Sequence, residues 1–252
     1  MAFITRIDNN QEITIHYEVT GQGEPIVFHH GNGNSCANWK DLGYVEALAQ
    51  YFQLIMLDSR GYGKSSKPHD PKAYSLKSRV DDTIAVLDAL NIDKAHCFGG
   101  SIGASICMLL AKHYPDRFNS YILATPYFEL FGDKFKAPLR IGSQKFLDTL
   151  ECVLGEKLEN EAIRNTMLKN DHLALLAANS SEWFNYHDYI QYLKKPTLIY
   201  CGEKEPTLQQ MINLSKQIAN SELEIIPNFT HKDAYWNGEV VSKIIHKFLK
   251  SL

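Results

Sequence analysis

The 252-residue sequence lacks several features that would each place it in a particular class of proteins. No run of about 18 consecutive apolar residues occurs, so the sequence predicts no membrane-spanning helix. Its start, MAFITRIDNNQEI, has neither a charged leader nor a long apolar core, and we expect a cytoplasmic protein. Lys and Arg number 26 against 29 Asp and Glu. Without a basic surplus, neither nucleic acid nor a membrane surface is an expected partner.

Cysteine is scarce and irregularly spaced. The five cysteines form no C-x-x-C pair, and most lie in apolar segments, which favours reduced core residues over disulfides. Cys36 lies beside a loop assigned below to the active site, but nothing in the sequence pairs it with a base. No histidine and cysteine cluster has ligand spacing, and residues 61–65 lack the phosphate-loop pattern. The sequence therefore predicts no metal and no cofactor.

Short apolar runs recur along the chain, as in strands that alternate with helices. Residues 13–19 alternate between apolar and polar, and residues 2–6 can pair with them as a hairpin. Six later runs are apolar enough for strands buried on both faces: 26–29, 54–57, 95–98, 121–124, 197–201 and 223–226. Apolar residues at helical spacing follow several of them: 76–90, 208–218 and 241–249. The sequence predicts an α/β fold with a doubly wound, mostly parallel sheet and an antiparallel start.

One long interval breaks this alternation. About 70 residues separate the strand ending near Ala124 from the strand starting near Thr197, and they carry only helix-like patterns. We expect a helical cap at 127–195, inserted after the sixth strand into a core domain made of 1–126 and 196–252.

The predicted cap is amphipathic and rich in aromatic residues. Its apolar positions predict one helix near 146–154, a second near 173–178 and an aromatic third at 183–192. Some of its aromatic side chains are expected to line an apolar pocket, although others belong to the core: Phe128, Phe131, Phe135, Trp183, Phe184, Tyr186 and Tyr189.

Residues 99–103 read Gly-Gly-Ser-Ile-Gly, a G-x-S-x-G pattern between an apolar strand and a helix-like run. This pattern is typical of a sharp strand-to-helix turn that lifts a serine hydroxyl above the sheet edge. Gly99 and Gly103 avoid side-chain collisions at the packed corner. The alternative is a glycine-rich turn without chemistry, but the flanking strand and helix favour Ser101 as a catalytic nucleophile.

A serine hydroxyl is a weak nucleophile at neutral pH and needs an imidazole base and an orienting carboxylate. His231 lies in a predicted loop between the last apolar strand and the terminal helix, and this loop should open beside Ser101. The loop after residues 197–201 offers two acids. We predict Glu205 as the triad acid and Glu203 as its rival; either can instead be a solvated charge near the next helix.

An oxyanion hole needs backbone N–H groups aimed at the charge that develops on a carbonyl oxygen. Ile102 offers one N–H just after the nucleophile, and the loop at 29–34 can offer a second from Asn32. Glycine and asparagine are also common in plain turns, so this loop matters only through its place relative to Ser101. His30 is expected to be structural rather than a second base.

Together, the elbow, the His30-Gly31 loop and the D-x-R-G-x-G-x-S segment at 58–65 resemble the α/β-hydrolase superfamily over nearly the whole chain. The resemblance implies the α/β-hydrolase fold. It also implies that the segment at 58–65 shapes a turn after the fourth strand, with scaffold roles for Asp58 and Arg60.

The resemblance assigns roles to the predicted site residues as well. Ser101, His231 and Glu205 take the triad roles, and Asn32 and Ile102 supply the oxyanion hole. Trp39 matches the family pattern near the first helix and is expected to pack.

Two departures from the family pattern bear on these roles. Glu205 stands where most relatives carry aspartate, and its extra methylene requires a slightly different approach to His231. Gly100 stands where many esterases carry histidine or an aromatic residue and where proline iminopeptidases carry glycine. The loop at 30–33 lacks the H-G-G-P-G sequence of those peptidases, which favours an esterase.

The sequence therefore predicts a capped serine hydrolase that cleaves a small carboxylic ester through an acyl-enzyme. Because the nucleophile is serine rather than aspartate, the haloalkane dehalogenase and epoxide hydrolase branches are disfavoured. A peptidase or acyltransferase on the same triad, and a non-enzymatic small-molecule receptor, stay open as alternatives. The expected partner is a small acyl substrate, bound by a monomer or a homodimer.

Overall fold

Eight strands form one mixed sheet in the computed structural model, which describes residues 2–126, 133–182 and 185–252. The strands are β1 (Ala2–Asp8), β2 (Gln11–Thr20), β3 (Glu24–His29), β4 (Phe52–Leu57), β5 (Ala95–Gly100), β6 (Phe118–Ala124), β7 (Thr197–Gly202) and β8 (Ser221–Ile226). Their order across the sheet is β1-β2-β4-β3-β5-β6-β7-β8. The β1/β2 and β2/β4 pairs are antiparallel and the others are parallel, which confirms the predicted sheet.

Helices cover both faces of this sheet. Those of the described residues are α1 (Asn38–Asp41), α2 (Tyr44–Leu48), α3 (Leu76–Ala89), α4 (Ile102–His113), α5 (Asp133–Ile141), α6 (Ser143–Leu154), α7 (Glu161–Lys169), α8 (His172–Ser180), α9 (Leu208–Gln217), α10 (His231–Trp236) and α11 (Gly238–Lys250). Helices α3, α4 and α9 pack on one face, and α1, α2 and α11 pack on the other. Within the described ranges, none of them has the length and apolar character that crossing a membrane requires.

The alternation of side chains along a strand explains why both faces are covered. Val27 of β3 packs into the core on the α3 and α4 side, whereas its neighbours Ile26 and Phe28 pack into the core on the α1 and α11 side. All three side chains are fully buried. A strand that is apolar at consecutive positions needs a helical layer on each side, as its sequence predicted.

Helices α5 to α8 come between β6 and β7, within the segment at 127–195 that the sequence predicts as a cap, and this segment is called the cap below. The predicted helices at 146–154 and 173–178 are present as α6 and α8, while α5 and α7 were not predicted. The third predicted helix is wrong in the described residues, because Tyr186–Asp188 and Ile190–Tyr192 form two short 3₁₀ turns.

The spacing of its tyrosines is compatible with the 3₁₀ turns. Tyr186, Tyr189 and Tyr192 recur every third residue, which places them on one face of a 3₁₀ helix. They pack against the core on the α4 side. Residues 183 and 184 of the predicted helix lie outside the described residues.

The parallel strands bring several loops to one edge of the sheet. His29, Gly100, Gly202 and Ile226 end β3, β5, β7 and β8. The segments that follow these strands carry Asn32, Ser101, Glu205 and His231, so the topology brings the predicted site residues to one edge.

Asp58 anchors the loop after β4. Its carboxylate accepts hydrogen bonds from the N–H groups of Cys36 at 2.7 Å and Lys64 at 2.8 Å, and it lies 2.8 Å from His16 Nδ1. Burial alone would raise the pKa of this carboxyl, but the hydrogen bond to His16, the neighbouring His30 and the two N–H groups hold it well below its usual range. These contacts make Asp58 a structural residue.

Arg60 ties the same loop to two other elements. Its guanidinium binds Asp82 of α3 through two hydrogen bonds, at 2.7 and 2.6 Å, and Asp8 of β1 at 2.6 Å. The Arg60 side chain is 1% exposed. Removing one member of such a buried pair costs about 3–5 kcal/mol, because the other charge stays behind unpaired.

The end of β3 carries a buried imidazole. His29 is 1% exposed, and its Nε2 atom has no hydrogen-bond partner among the described residues. Burial, with a smaller effect of neighbouring His30, lowers the pKa of His29 from 6.5 to about 3. The imidazole is therefore neutral in the folded protein at physiological pH.

We expect the free energy of unfolding to fall as the pH drops from 6.5 toward about 3. In that interval the unfolded chain binds a proton at His29 that the folded chain does not, so this contribution is present above pH 6.5 and lost below it. A His29→Asn variant should show a shallower decline in urea unfolding measured at several pH values. The matched control is His187→Asn, at an exposed position. Equal slopes for the wild type and His29→Asn would contradict this prediction.

Candidate active site

Ser101 lies in a strained turn between β5 and α4. Its backbone has φ 53° and ψ −118°, and its N–H donates to Ala124 O at 2.8 Å. A non-glycine residue in such a conformation costs about 1–3 kcal/mol. A Cβ atom at Gly99 would overlap the Gly103 carbonyl, and one at Gly103 would overlap the His29 carbonyl. The two glycines therefore allow the close packing that holds the turn.

An imidazole and a carboxylate meet at the ends of β7 and β8. His231 Nδ1 donates a hydrogen bond to Glu205 Oε2 at 2.8 Å, and Thr207 Oγ1 donates to Glu205 Oε1 at 3.1 Å. The Glu205 side chain is 3% exposed. Glu203 is exposed and accepts a hydrogen bond from the Asn228 N–H at 2.9 Å. Of the two glutamates considered from sequence, Glu205 is the one that contacts His231.

The predicted loop position of His231 is wrong, because this residue begins helix α10. Thr230 caps the helix: its Oγ1 accepts from the Asp233 N–H at 3.2 Å, and Asp233 Oδ2 accepts from the Thr230 N–H at 3.0 Å. This reciprocal pair is a capping box, and the T-x-x-D spacing in the sequence is its signal.

Asn32 and Ile102 lie on either side of the serine. Asn32 lines the same cavity as Ser101, and its Oδ1 accepts a hydrogen bond from the Tyr62 hydroxyl at 2.7 Å. Ile102 is the first residue of α4, where N–H groups have no partner within the helix. Neither the Asn32 nor the Ile102 N–H donates to another backbone group among the described residues.

Tyr235 is a site residue that the sequence analysis missed. Its hydroxyl accepts hydrogen bonds from the Gly31 N–H at 2.7 Å and from Asn34 Nδ2 at 3.2 Å. A Cβ atom at Gly100 would overlap the Tyr235 ring, so this ring fills the space beside the residue before the serine. Burial raises the pKa of Tyr235 to about 12, which keeps the hydroxyl protonated. One side chain of α10, four residues after His231, thus touches both the Asn32 loop and the end of β5 just before Ser101.

A cavity of about 220 Å³ opens over these residues. Its polar wall contains Asn32, Ser101, Glu205 and His231. Apolar side chains of α5, α6 and α7 also line it: Phe135, Leu150, Val153, Leu154 and Met167. These apolar residues are called the roof of the cavity below, and the four polar residues are called its floor.

The aromatic residues expected in the pocket divide into three groups. Phe135 lines the cavity. Tyr186 and Tyr189 pack against the core instead. The other four lie outside the described residues: Phe128, Phe131, Trp183 and Phe184.

Among the described residues, His16, Cys36 and Asp58 place their donor atoms within 4.8 Å of one another. A metal ion would need the Cys36 thiolate. Burial, together with the charge of Asp58, raises the pKa of this thiol far above its usual value. The Asp58 carboxylate is also engaged by the backbone, so the group fits an anchor for the loop better than a metal site.

Comparison with known proteins agrees with this architecture. A family model described as alpha/beta hydrolase fold matches residues 24–151. A 2-hydroxy-6-oxononadienedioate/2-hydroxy-6-oxononatrienedioate hydrolase of Burkholderia vietnamiensis is 24% identical, over 98% of this chain and 95% of the relative.

Solved structures share the fold over the whole chain. An esterase from Thermogutta terrifontis superposes with a TM-score of 0.83 at 22% identity and covers 100% of this chain and 99% of its own. An enol-lactonase from Burkholderia xenovorans LB400 gives 0.82 at 20% identity and covers 98% and 100%. The named relatives support a hydrolase and differ in the substrates they act on. The family model spans half of the sequence, and the chain belongs to the alpha/beta hydrolase fold family.

Proposed function

We propose that this hydrolase cleaves a small carboxylic ester through an acyl-enzyme, with Ser101 as nucleophile, His231 as base and Glu205 as the orienting acid. The observation that carries the proposal is the hydrogen bond between His231 Nδ1 and Glu205 Oε2 at 2.8 Å, beside the cavity that Ser101 lines. An imidazole held in this way is prepared to act on a nearby hydroxyl.

The hydrogen bond to Glu205 determines which nitrogen of His231 is the base. A carboxylate only accepts hydrogen bonds, so Nδ1 carries the proton and the basic lone pair of the ring lies on Nε2. Nε2 takes the proton of Ser101 Oγ as the oxygen attacks the ester carbonyl, and then gives it to the departing alcohol. Water, activated by the same nitrogen, hydrolyses the acyl-enzyme. Glu205 stabilises the imidazolium that forms in both steps.

The N–H groups of Asn32 and Ile102 are proposed to bind the oxyanion. Ile102 adds the positive end of the α4 dipole to its N–H. The Asn32 loop is held from two sides, by the Tyr235 hydroxyl on the Gly31 N–H and by Asn170 Nδ2 of the cap, which donates to Gly33 O at 2.7 Å. Such support matters because oxyanion donors work only when they are fixed before the reaction.

The cavity favours a small substrate. Pockets for drug-sized ligands occupy about 300–1,000 Å³, whereas this one measures about 220 Å³. Its apolar roof suits a short acyl or alcohol chain, and the polar floor places the ester beside the serine. A peptidase or acyltransferase on the same triad, and a receptor without turnover, remain the alternatives that the assays below separate.

We expect Ser101→Ala to abolish labelling by a fluorophosphonate probe and to lower ester hydrolysis by about a thousandfold or more. The matched control is Ser105→Ala, at a buried serine one turn further along α4, which should keep both activities. Chromogenic esters of graded acyl length, assayed beside aminoacyl amides, give the reaction class. An unlabelled wild type would favour the receptor, and faster turnover of amides would favour the peptidase.

The two neighbouring glutamates provide a second test. Glu205→Gln should lower kcat about 10²–10⁴-fold, because the amide favours the wrong imidazole tautomer. Glu203→Gln should stay within about twofold of the wild type, since a solvated surface charge contributes little. Steady-state kinetics on one ester checks both, and a larger loss in Glu203→Gln would show that the acid is misassigned.

Tyr235→Phe tests the support of the oxyanion loop. This change keeps the ring over Gly100 and removes the acceptor of the Gly31 N–H, so kcat should fall about tenfold with little change in KM. Tyr200→Phe is the matched control, because its buried hydroxyl bonds Tyr44 at 3.0 Å rather than the loop. If both variants lose kcat equally, the hydroxyl of Tyr235 has no special role.

A further inference from the structure

One carboxylate of the cap contacts both neighbours of His231. Glu156 Oε2 pairs with Lys232 Nζ at 2.7 Å, and Glu156 Oε1 lies 3.0 Å from Thr230 Oγ1 in a hydrogen bond. Lys232 Nζ also lies 3.5 Å from Lys157 O. The residue before the histidine and the residue after it are therefore bound by the same group.

The two contacts differ in strength. The Thr230 hydroxyl also lies 2.9 Å from Asp233 Oδ2, so its single proton is divided between two carboxylates. Lys232 Nζ has three protons, so its longer contact with Lys157 O does not compete with the ion pair in this way. The members of the ion pair are partly shielded: the Glu156 and Lys232 side chains are 27% and 18% exposed. An ion pair that is partly removed from water is less screened than a surface pair. The ion pair with Lys232 is therefore the stronger of the two contacts between Glu156 and the segment around His231.

The backbone at Glu156 is fixed relative to helices α6 and α7 of the cap. Helix α6 ends with Gly155 in the left-handed conformation, at φ 73°, and the Glu156 N–H bonds back to Glu151 O at 3.2 Å. This is the Schellman helix ending, which fixes the chain direction after the helix. Arg164 of α7 in turn binds the Glu151 carboxylate and Leu158 O. The position of Glu156 thus follows the position of the whole α6–α7 pair.

We propose that Glu156 is a positioning residue for the catalytic histidine. When the cap lies against the core, the contacts of Glu156 with residues 230 and 232 hold His231 in position. The proposal rests on the function proposed above for Ser101 and His231. Because Glu156 holds residues 230 and 232, a cap that moves away from the core releases both sides of the imidazole. Full activity then requires the cap to lie against the core, so that Glu156 keeps both contacts.

Isosteric variants test the connection without opening a cavity. Glu156→Gln and Lys232→Met should each lower kcat about tenfold. The Glu156→Gln/Lys232→Met double variant should be no slower than the slower single variant, because both changes remove the same contact. The charge-exchanged variant, Glu156→Lys with Lys232→Glu, should recover most of the loss. Additive losses in the double variant would overturn the proposal.

Asp88→Asn is the matched control. It breaks the surface ion pair between Asp88 and Arg117, which measures 2.8 Å and lies near the amino ends of β5 and β6, away from the site. This variant should keep the kcat of the wild type. A kcat loss equal to that of Glu156→Gln, with an equal drop in Tm, would show a general effect on stability and overturn the positioning role.

Hydrogen exchange separates this proposal from the proposed function. In Glu156→Gln, amides of α10 should exchange faster than in the wild type, while amides of α3 keep their rates. This readout does not depend on turnover. A wild type that hydrolyses no ester would contradict the proposed function. Unchanged exchange in α10 and unchanged kcat in Glu156→Gln would contradict the positioning role of Glu156.

Discussion

The contact between the first turn of α4 and the end of β3 sets the geometry of the site. Gly103 lies against the His29 carbonyl so closely that a single added carbon would overlap it. This contact fixes the turn that carries Ser101 against the loop that carries Asn32. The strain at Ser101 is tolerated because packing on both sides leaves the chain no other path. This backbone contact therefore fixes the turn of Ser101 against the end of β3, and the Tyr235 and Asn170 side chains hold the Asn32 loop further along the chain.

Much of this arrangement follows from the sequence, since the buried strands are apolar at consecutive positions and parallel strands bring their following loops to one edge. The positions of Ser101, Glu205 and His231 could be inferred on that basis. Helix α10 has only six residues, which are too few to show a helical period in the sequence. The T-x-x-D capping pattern at its start is the one local signal that indicates it. Tyr235 could not be inferred, because its contacts with Gly31 and Gly100 join parts of the chain that no local pattern relates. The i, i+3 spacing of Tyr186, Tyr189 and Tyr192 fits both helix types, so the sequence does not distinguish the 3₁₀ turns from an α-helix.

The cap is part of the site rather than a cover laid over it. It supplies the apolar roof of the cavity, including Phe135 and Met167. It also binds the core on both sides of the reaction centre. Asn170 donates to Gly33 O in the oxyanion loop, and Glu156 contacts the segment around His231. Under the proposed function, substrate selection and the alignment of the catalytic groups would depend on the same part of the cap, helices α5 to α7 and the residues that follow them.

The packing of the Tyr235 ring on Gly100 has a consequence for how this protein can change. The Tyr235 ring fills the space beside the residue before the serine, so even the Cβ of alanine at position 100 would overlap it. The effect of a side chain at position 100 therefore depends on the residue at position 235. The two positions are coupled, and their substitutions are not expected to act additively.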